Sequence, residues 1–123
     1  MALLLDTHAL LYWLDGDRRL RPGLRRRIQD ERDVMVSAVS VMEITTKVRI
    51  GKLPGALAVA AAVSGQGFVP IDITWAHAQR AGAMEWPHRD PFDRLLAATA
   101  LIESMPLVSS DEVFDAIGVE RVW

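Results

Sequence analysis

The sequence predicts an α/β fold around a mainly parallel sheet of four or five strands, and two observations predict it. Four or five short apolar runs alternate with longer stretches of helical period, the pattern of strands joined by crossover helices. The length of 123 residues, half of them hydrophobic and about a quarter charged, suits one compact domain over residues 1–123 with a core of its own.

In order along the chain, Ala2–Leu5 reads as the first strand and Thr7–Leu14 as the first helix. Arg21–Arg32 forms a second helix with Pro22 in its first turn. Val34–Val36 is the second strand. A third helix runs to about Ile50, capped by Ser37 or Ser40 and ended by Gly51 and Pro54. Ala56–Val63 is a fourth helix, Phe68–Ile71 a strand, and Thr74–Met84 a fifth helix. Asp90 and Pro91 open a sixth helix through Glu103, and Pro106 forbids its continuation. Leu107–Val108 is the next strand. A short helix over Glu112–Ala116, capped by Ser109 or Ser110, leads to a last strand over Val119–Val122. No internal repeat, linker or low-complexity segment interrupts this order.

Composition removes several function classes. The formal charge of −2 gives no global basic field, so a polyanion would need a local patch or a metal ion. The absence of cysteine excludes a disulfide framework, a zinc thiolate site and a thiol nucleophile, and suits a reducing compartment. Asp6 and His8 interrupt the apolar N-terminal segment and no basic stretch precedes it, which argues against export. Leu57–Val63 falls well short of the roughly 20 residues of a spanning helix. A soluble, cytoplasmic protein without a membrane partner is expected.

The chemistry-bearing candidates are carboxylates. Asp6 follows Leu3–Leu5, at the carboxyl end of the first strand, where open parallel sheets bind ligands, although a helix cap is an equal reading. Glu43 lies among apolar neighbours in Val39–Ile44. If Ser40 caps the helix, Ser40 and Glu43 form a capping box; if Ser37 caps it, Glu43 lies beyond the first turn and needs another partner. Asp90 reads as an N-cap. Asp93 shares a helix face with Ala97 and Ala100, small residues that let a neighbouring backbone approach and hold the acid against the sheet edge. Asp111 follows another strand end, and its alternative is a first-turn acid on a surface helix.

Convergence of four acids on one sheet edge has a chemical meaning. Carboxylates 4 Å apart repel by roughly 1 kcal/mol per pair in water and several times more in a protein-like dielectric. A hard divalent ion removes that repulsion, and an all-oxygen ligand set suits Mg²⁺ or Mn²⁺. Phosphodiester hydrolysis fits such a site. No Gly-x-Ser-x-Gly, P-loop or His-Glu-x-x-His pattern supports another mechanism. His88 is a candidate to lie near the site, although a lone histidine is read first as structural.

The segments LLLDTHALLYWL, VSAVSVMEITTKVRIGKL, HRDPFDRLLAATA and LVSSDEVF, in this order and across nearly the whole chain, closely resemble PIN-domain proteins of the VapC toxin type. The resemblance implies a three-layer α/β/α domain, an acidic metal site and endoribonuclease activity on structured or single-stranded RNA. It carries the family's four acids onto Asp6, Glu43, Asp93 and Asp111, and its flanking hydroxyls onto Thr7 and Ser109. It also implies Mg²⁺ or Mn²⁺ as cofactor, a small antitoxin partner, and a homodimer or larger toxin–antitoxin assembly. In such a sheet the first and fourth strands are neighbours, so Asp6 and Asp111 should face each other. Arg94, beside Asp93, is a candidate phosphate contact. Tyr12, Trp13, Leu14, Ile50 and Leu53 are candidates for an antitoxin groove or for core. The basic run Arg18, Arg19, Arg21 and Arg25–Arg27 suits RNA phosphates, an acidic partner or a solvated helix face. The competing readings are an RNA-processing PIN nuclease without an antitoxin, a catalytically silent binding module and, weakly, a phosphatase acting through an aspartyl-phosphate.

Overall fold

Alternation within the strands decides the architecture. In a computed structural model describing residues 2–53 and 59–123, β1 (Ala2–Leu5) sends Leu3 and Leu5 to one face and Leu4 to the other, all three at most 1% exposed. β2 (Asp33–Ser37) and β4 (Leu107–Val108) repeat the division, with Val34, Val36 and Val108 on the first side and Met35 and Leu107 on the second. A sheet apolar on both faces must be covered on both, and the result is three layers.

The first face carries α1 (Thr7–Asp15), α2 (Pro22–Asp30) and α4 (Val59–Gly65), packed through Ala9, Leu10, Leu24, Ile28 and Val63. The second carries α6 (Pro91–Ile102), which buries Leu96, Ala97 and Ala100, and α5 (Trp75–Ala83) packs against it. α3 (Ala38–Arg49) contributes to both clusters, Ile44 to the first and Val39 to the second. The five strands, completed by β3 (Val69–Ile71) and β5 (Arg121–Val122), are all parallel and run in the order β3-β2-β1-β4-β5. The order turns back between β1 and β4, which makes that pair the switch point of the sheet.

Most element boundaries agree with the sequence reading, and the exceptions have local causes. Ser37 is the cap of α3, its Oγ accepting from the Val39 amide, which leaves Ser40 inside the helix and removes the capping-box reading of Glu43. The final short helix is a 3-10 helix over Glu112–Ile117, and its cap is Asp111 instead of Ser109 or Ser110, because Asp111 Oδ1 accepts from the Val113 amide. β5 begins at Arg121, since Gly118 takes φ +79 and Val119 is buried beside the 3-10 helix. Pro54 and the start of the expected fourth helix, residues 56–58, lie outside the described residues.

Candidate active site

Each element places its acid by ordinary local chemistry. Asp6 leaves β1 and caps α1, with Oδ1 accepting from the Ala9 amide at 2.7 Å, and it is only 5% exposed. Its amide donates to Val108 O across the β1–β4 pair. In that register the residue opposite Asp6 is Ser109, fully buried, and its hydroxyl favours the charged form of the Asp6 carboxyl.

Glu43 projects from the second turn of α3 and is buried, as the apolar neighbours predicted. Thr7, in the first turn of α1, sets its Oγ1 2.7 Å from Glu43 Oε1 and 3.1 Å from Ser40 Oγ. Lys47, one turn further along α3, holds Glu43 Oε2 at 2.9 Å. A buried carboxylate needs such partners, and Glu43 has one for each oxygen.

Asp93 stands in the first turn of α6, the helix that Asp90 caps by accepting from the Phe92 and Asp93 amides. Its Oδ2 lies 2.7 Å from His88 Nε2. His88 therefore lies beside a candidate site acid, the neighbourhood in which the sequence reading had put it. Candidate ligand atoms of His88, Asp90 and Asp93 all fall within 4.8 Å of one another.

Electrostatics ties three of the acids together. Burial pushes the Asp6 carboxyl above its ordinary range and the Asp93 charge adds to the push, against the Ser109 hydroxyl, the Ala9 amide and His8. Burial also raises Asp93, helped by the Asp90 and Glu43 charges and opposed by His88. Asp93 thus stands between the other two, its charge acting on Asp6 and the Glu43 charge acting on it, across three separate elements. Such a group of oxygen donors suits a hard divalent cation.

Asp111 is the exception. It is exposed, two residues past the register partner of Asp6, and its Oδ1 serves the helix cap. Its link to the other acids runs through Ser109, whose Oγ accepts from the Asp111 amide.

Arg94 is corrected. Its guanidinium donates to the carbonyls of Ala81, Met84, Trp86 and His88, so four of its five N–H groups hold the α5–α6 connection instead of facing a phosphate. His77, fully buried, closes a capping box with Thr74 and reaches Glu103, which is the structural role read for a lone histidine. Of the proposed groove residues, Tyr12, Trp13, Leu14 and Leu53 pack against the core, while Ile50 is 49% exposed.

Comparison with known proteins follows the same lines. The family profile described as PIN domain matches residues 3–120. A search of curated proteins returns no match. Among solved structures, the chain is similar to a chain of a toxin-antitoxin complex from Klebsiella pneumoniae, at 19% identity and TM-score 0.72, covering 98% of this chain and 96% of that one. It is similar to a chain of VapBC2 from Rickettsia felis bound to a DNA fragment from its promoter, at 15% identity and TM-score 0.72, covering 99% and 98%. DNA-bound VapBC from Salmonella typhimurium gives 18% identity and TM-score 0.74, covering 99% and 97%.

Proposed function

The chain belongs to the PIN-domain family, and from that premise we propose that it is a metal-dependent endoribonuclease acting as the toxin of a toxin–antitoxin pair. In this reading residues 1–123 work as one cytoplasmic domain that hydrolyses RNA phosphodiester bonds. The observation that supports the reading is that Asp6, Glu43 and Asp93, each from a different element, stand near enough for the Glu43 charge to act on Asp93 and the Asp93 charge to act on Asp6, with Asp6 and Glu43 buried.

Asp6, Glu43 and Asp93 are the residues to hold Mg²⁺ or Mn²⁺, with Asp111 at the exposed rim. When bound, the ion supplies polarisation of a phosphoryl oxygen, acidification of a water nucleophile and neutralisation of the leaving oxygen. The chain's own residues prepare that site. Thr7 and Lys47 fix the two oxygens of Glu43, the Ala9 amide and Ser109 fix Asp6, and His88 fixes Asp93. Ligands held this way lose little freedom when the ion and substrate arrive. Three similar structures come from toxin–antitoxin complexes, and this supports a small antitoxin as partner and a dimeric or larger assembly.

The test is cleavage of labelled RNA in Mn²⁺ by the wild type, Asp6→Asn and Asp93→Asn. Both variants should lose about 100-fold or more, at least what loss of a supporting partner of a metal ligand costs. Equal cleavage by all three proteins overturns the site. Expression in a bacterial host should arrest growth for the wild type and not for Asp93→Asn, and unaffected growth counts against the toxin role.

A further inference from the structure

The acids explain cleavage but leave a large charge asymmetry without a role. Seven of the 14 basic residues fall between positions 18 and 32, where the only acids are Asp30 and Glu31, so this segment carries +5 while the rest of the chain carries −7. It comprises the turn after α1 and all of α2. Not every arginine in it is available to a ligand. Arg25 donates to Tyr12 O and lies over Trp13, and Arg19 is paired with Asp17.

An aromatic line connects this segment to the acids. His8, exposed in the first turn of α1, is close enough to Asp6 for its charge to favour the carboxylate. Tyr12 lies one turn further, with its ring 6.3 Å from His8, and Trp123 follows at 6.2 Å from Tyr12 in an edge-on contact. The Arg19 guanidinium covers the Tyr12 ring at 4.4 Å. Beyond it, Trp123 and Val122 join Arg21, Gly23, Leu24 and Arg27 around a pocket of about 410 Å³. Since every strand is parallel, Trp123, just past β5, comes off the same sheet edge as Asp6, just past β1.

We propose that this line is a track for a single-stranded segment of RNA: a base stacks against Trp123 in the pocket, phosphates meet Arg21 and Arg27, and the strand continues past the Arg19-covered Tyr12 to Asp6, Glu43 and Asp93. Only the last clause rests on the nuclease reading. Charge complementarity selects a polyanion, and a tryptophan set among arginines matches a strand that offers base faces and phosphates together. A duplex is disfavoured because its bases are already stacked on each other and cannot offer their faces to the ring.

The experiment is fluorescence anisotropy of a labelled single-stranded oligoribonucleotide with the full chain in EDTA, across a salt series. Arg21→Gln and Arg27→Gln are exposed substitutions and should leave the melting temperature unchanged. Each should weaken binding and lower the slope of log affinity against log salt by about 0.7, the share of one single-strand phosphate contact. Trp123→Leu should weaken binding by roughly 5-fold or more with an unchanged slope. A duplex of the same sequence should bind more weakly and ignore the Trp123 substitution. Unchanged affinity in both arginine variants overturns the track, as does failure of the wild type to bind the single strand. If these variants lose affinity for polyglutamate but not for RNA, the face belongs to an acidic protein segment and the proposal fails. Binding that follows these expectations without any Mn²⁺-dependent cleavage removes the nuclease reading and leaves the track in place.

Discussion

At the scale of single residues, Asp6 holds the most tension, because it is buried, caps a helix and faces a second carboxylate. Its folded-state pKa is raised, so as pH climbs from the unfolded value towards the folded one, the unfolded chain gives up a proton that the native state keeps. Stability therefore falls through that window and stays lowered above it. Asp6→Asn keeps the capping oxygen and removes the charge. In metal-free buffer at neutral pH it should raise the melting temperature by several degrees, the scale of ~1 kcal/mol in a domain of this size. The gain should disappear below about pH 4, where an unfolded aspartate is itself protonated. A melting temperature lowered by Asp6→Asn at neutral pH would show that the charge is already compensated in the metal-free protein. The position of Asp6 was legible because strand end and cap are both local signals. The surroundings of Glu43 were not, because one of its carboxylate oxygens is held by Thr7, a partner 36 residues away.

Elements carry the next layer of information, and the α5–α6 connection shows where sequence reading stops. Asp90 and Pro91 announced the start of α6 correctly, since a cap and a proline act on their own neighbours. Arg94 gave no such signal, as its four carbonyl partners lie 6 to 13 residues upstream, from Ala81 to His88. Those bonds fix the segment that brings His88 to Asp93. Arg94→Gln should cost about 2–4 kcal/mol in urea unfolding, as charge-assisted bonds to partly buried carbonyls are lost together. Arg94→Lys should fall between the two, because an ammonium cannot span the four acceptors in one plane. An Arg94→Gln protein that unfolds like the wild type yet binds RNA more weakly would return Arg94 to the phosphate role first read for it. At the 3-10 helix, by contrast, the contacts are local: Ser109 Oγ accepts from the Asp111 amide and Asp111 takes the cap.

On the scale of the whole molecule, the candidate site joins parts of the fold that the sheet keeps apart. Asp6 and Thr7 belong to the β1–α1 junction, Glu43 to a helix that contributes to both cores, and Asp93 to a helix on the opposite face from α1. An ion held by all three acids links both helical layers at the switch point of the sheet, so its binding stabilises the fold as a unit instead of tightening one loop. Linkage gives the size of the effect: at a concentration 100 times the dissociation constant, a ligand specific for the native state adds about 2.7 kcal/mol, on the order of 10 °C here. Mn²⁺ should therefore raise the melting temperature of the wild type in a single transition, in proportion to the logarithm of its concentration. The rise should shrink in Asp6→Asn and Asp93→Asn, and also near pH 4, where the carboxyls with raised pKa hold protons that the ion must displace. Protection of β1, α3 and α6 amides from hydrogen exchange should increase together, as one cooperative unit. A melting temperature indifferent to Mn²⁺, or a rise equal in the wild type and both variants, would mean that the three carboxylates share a space without sharing an ion.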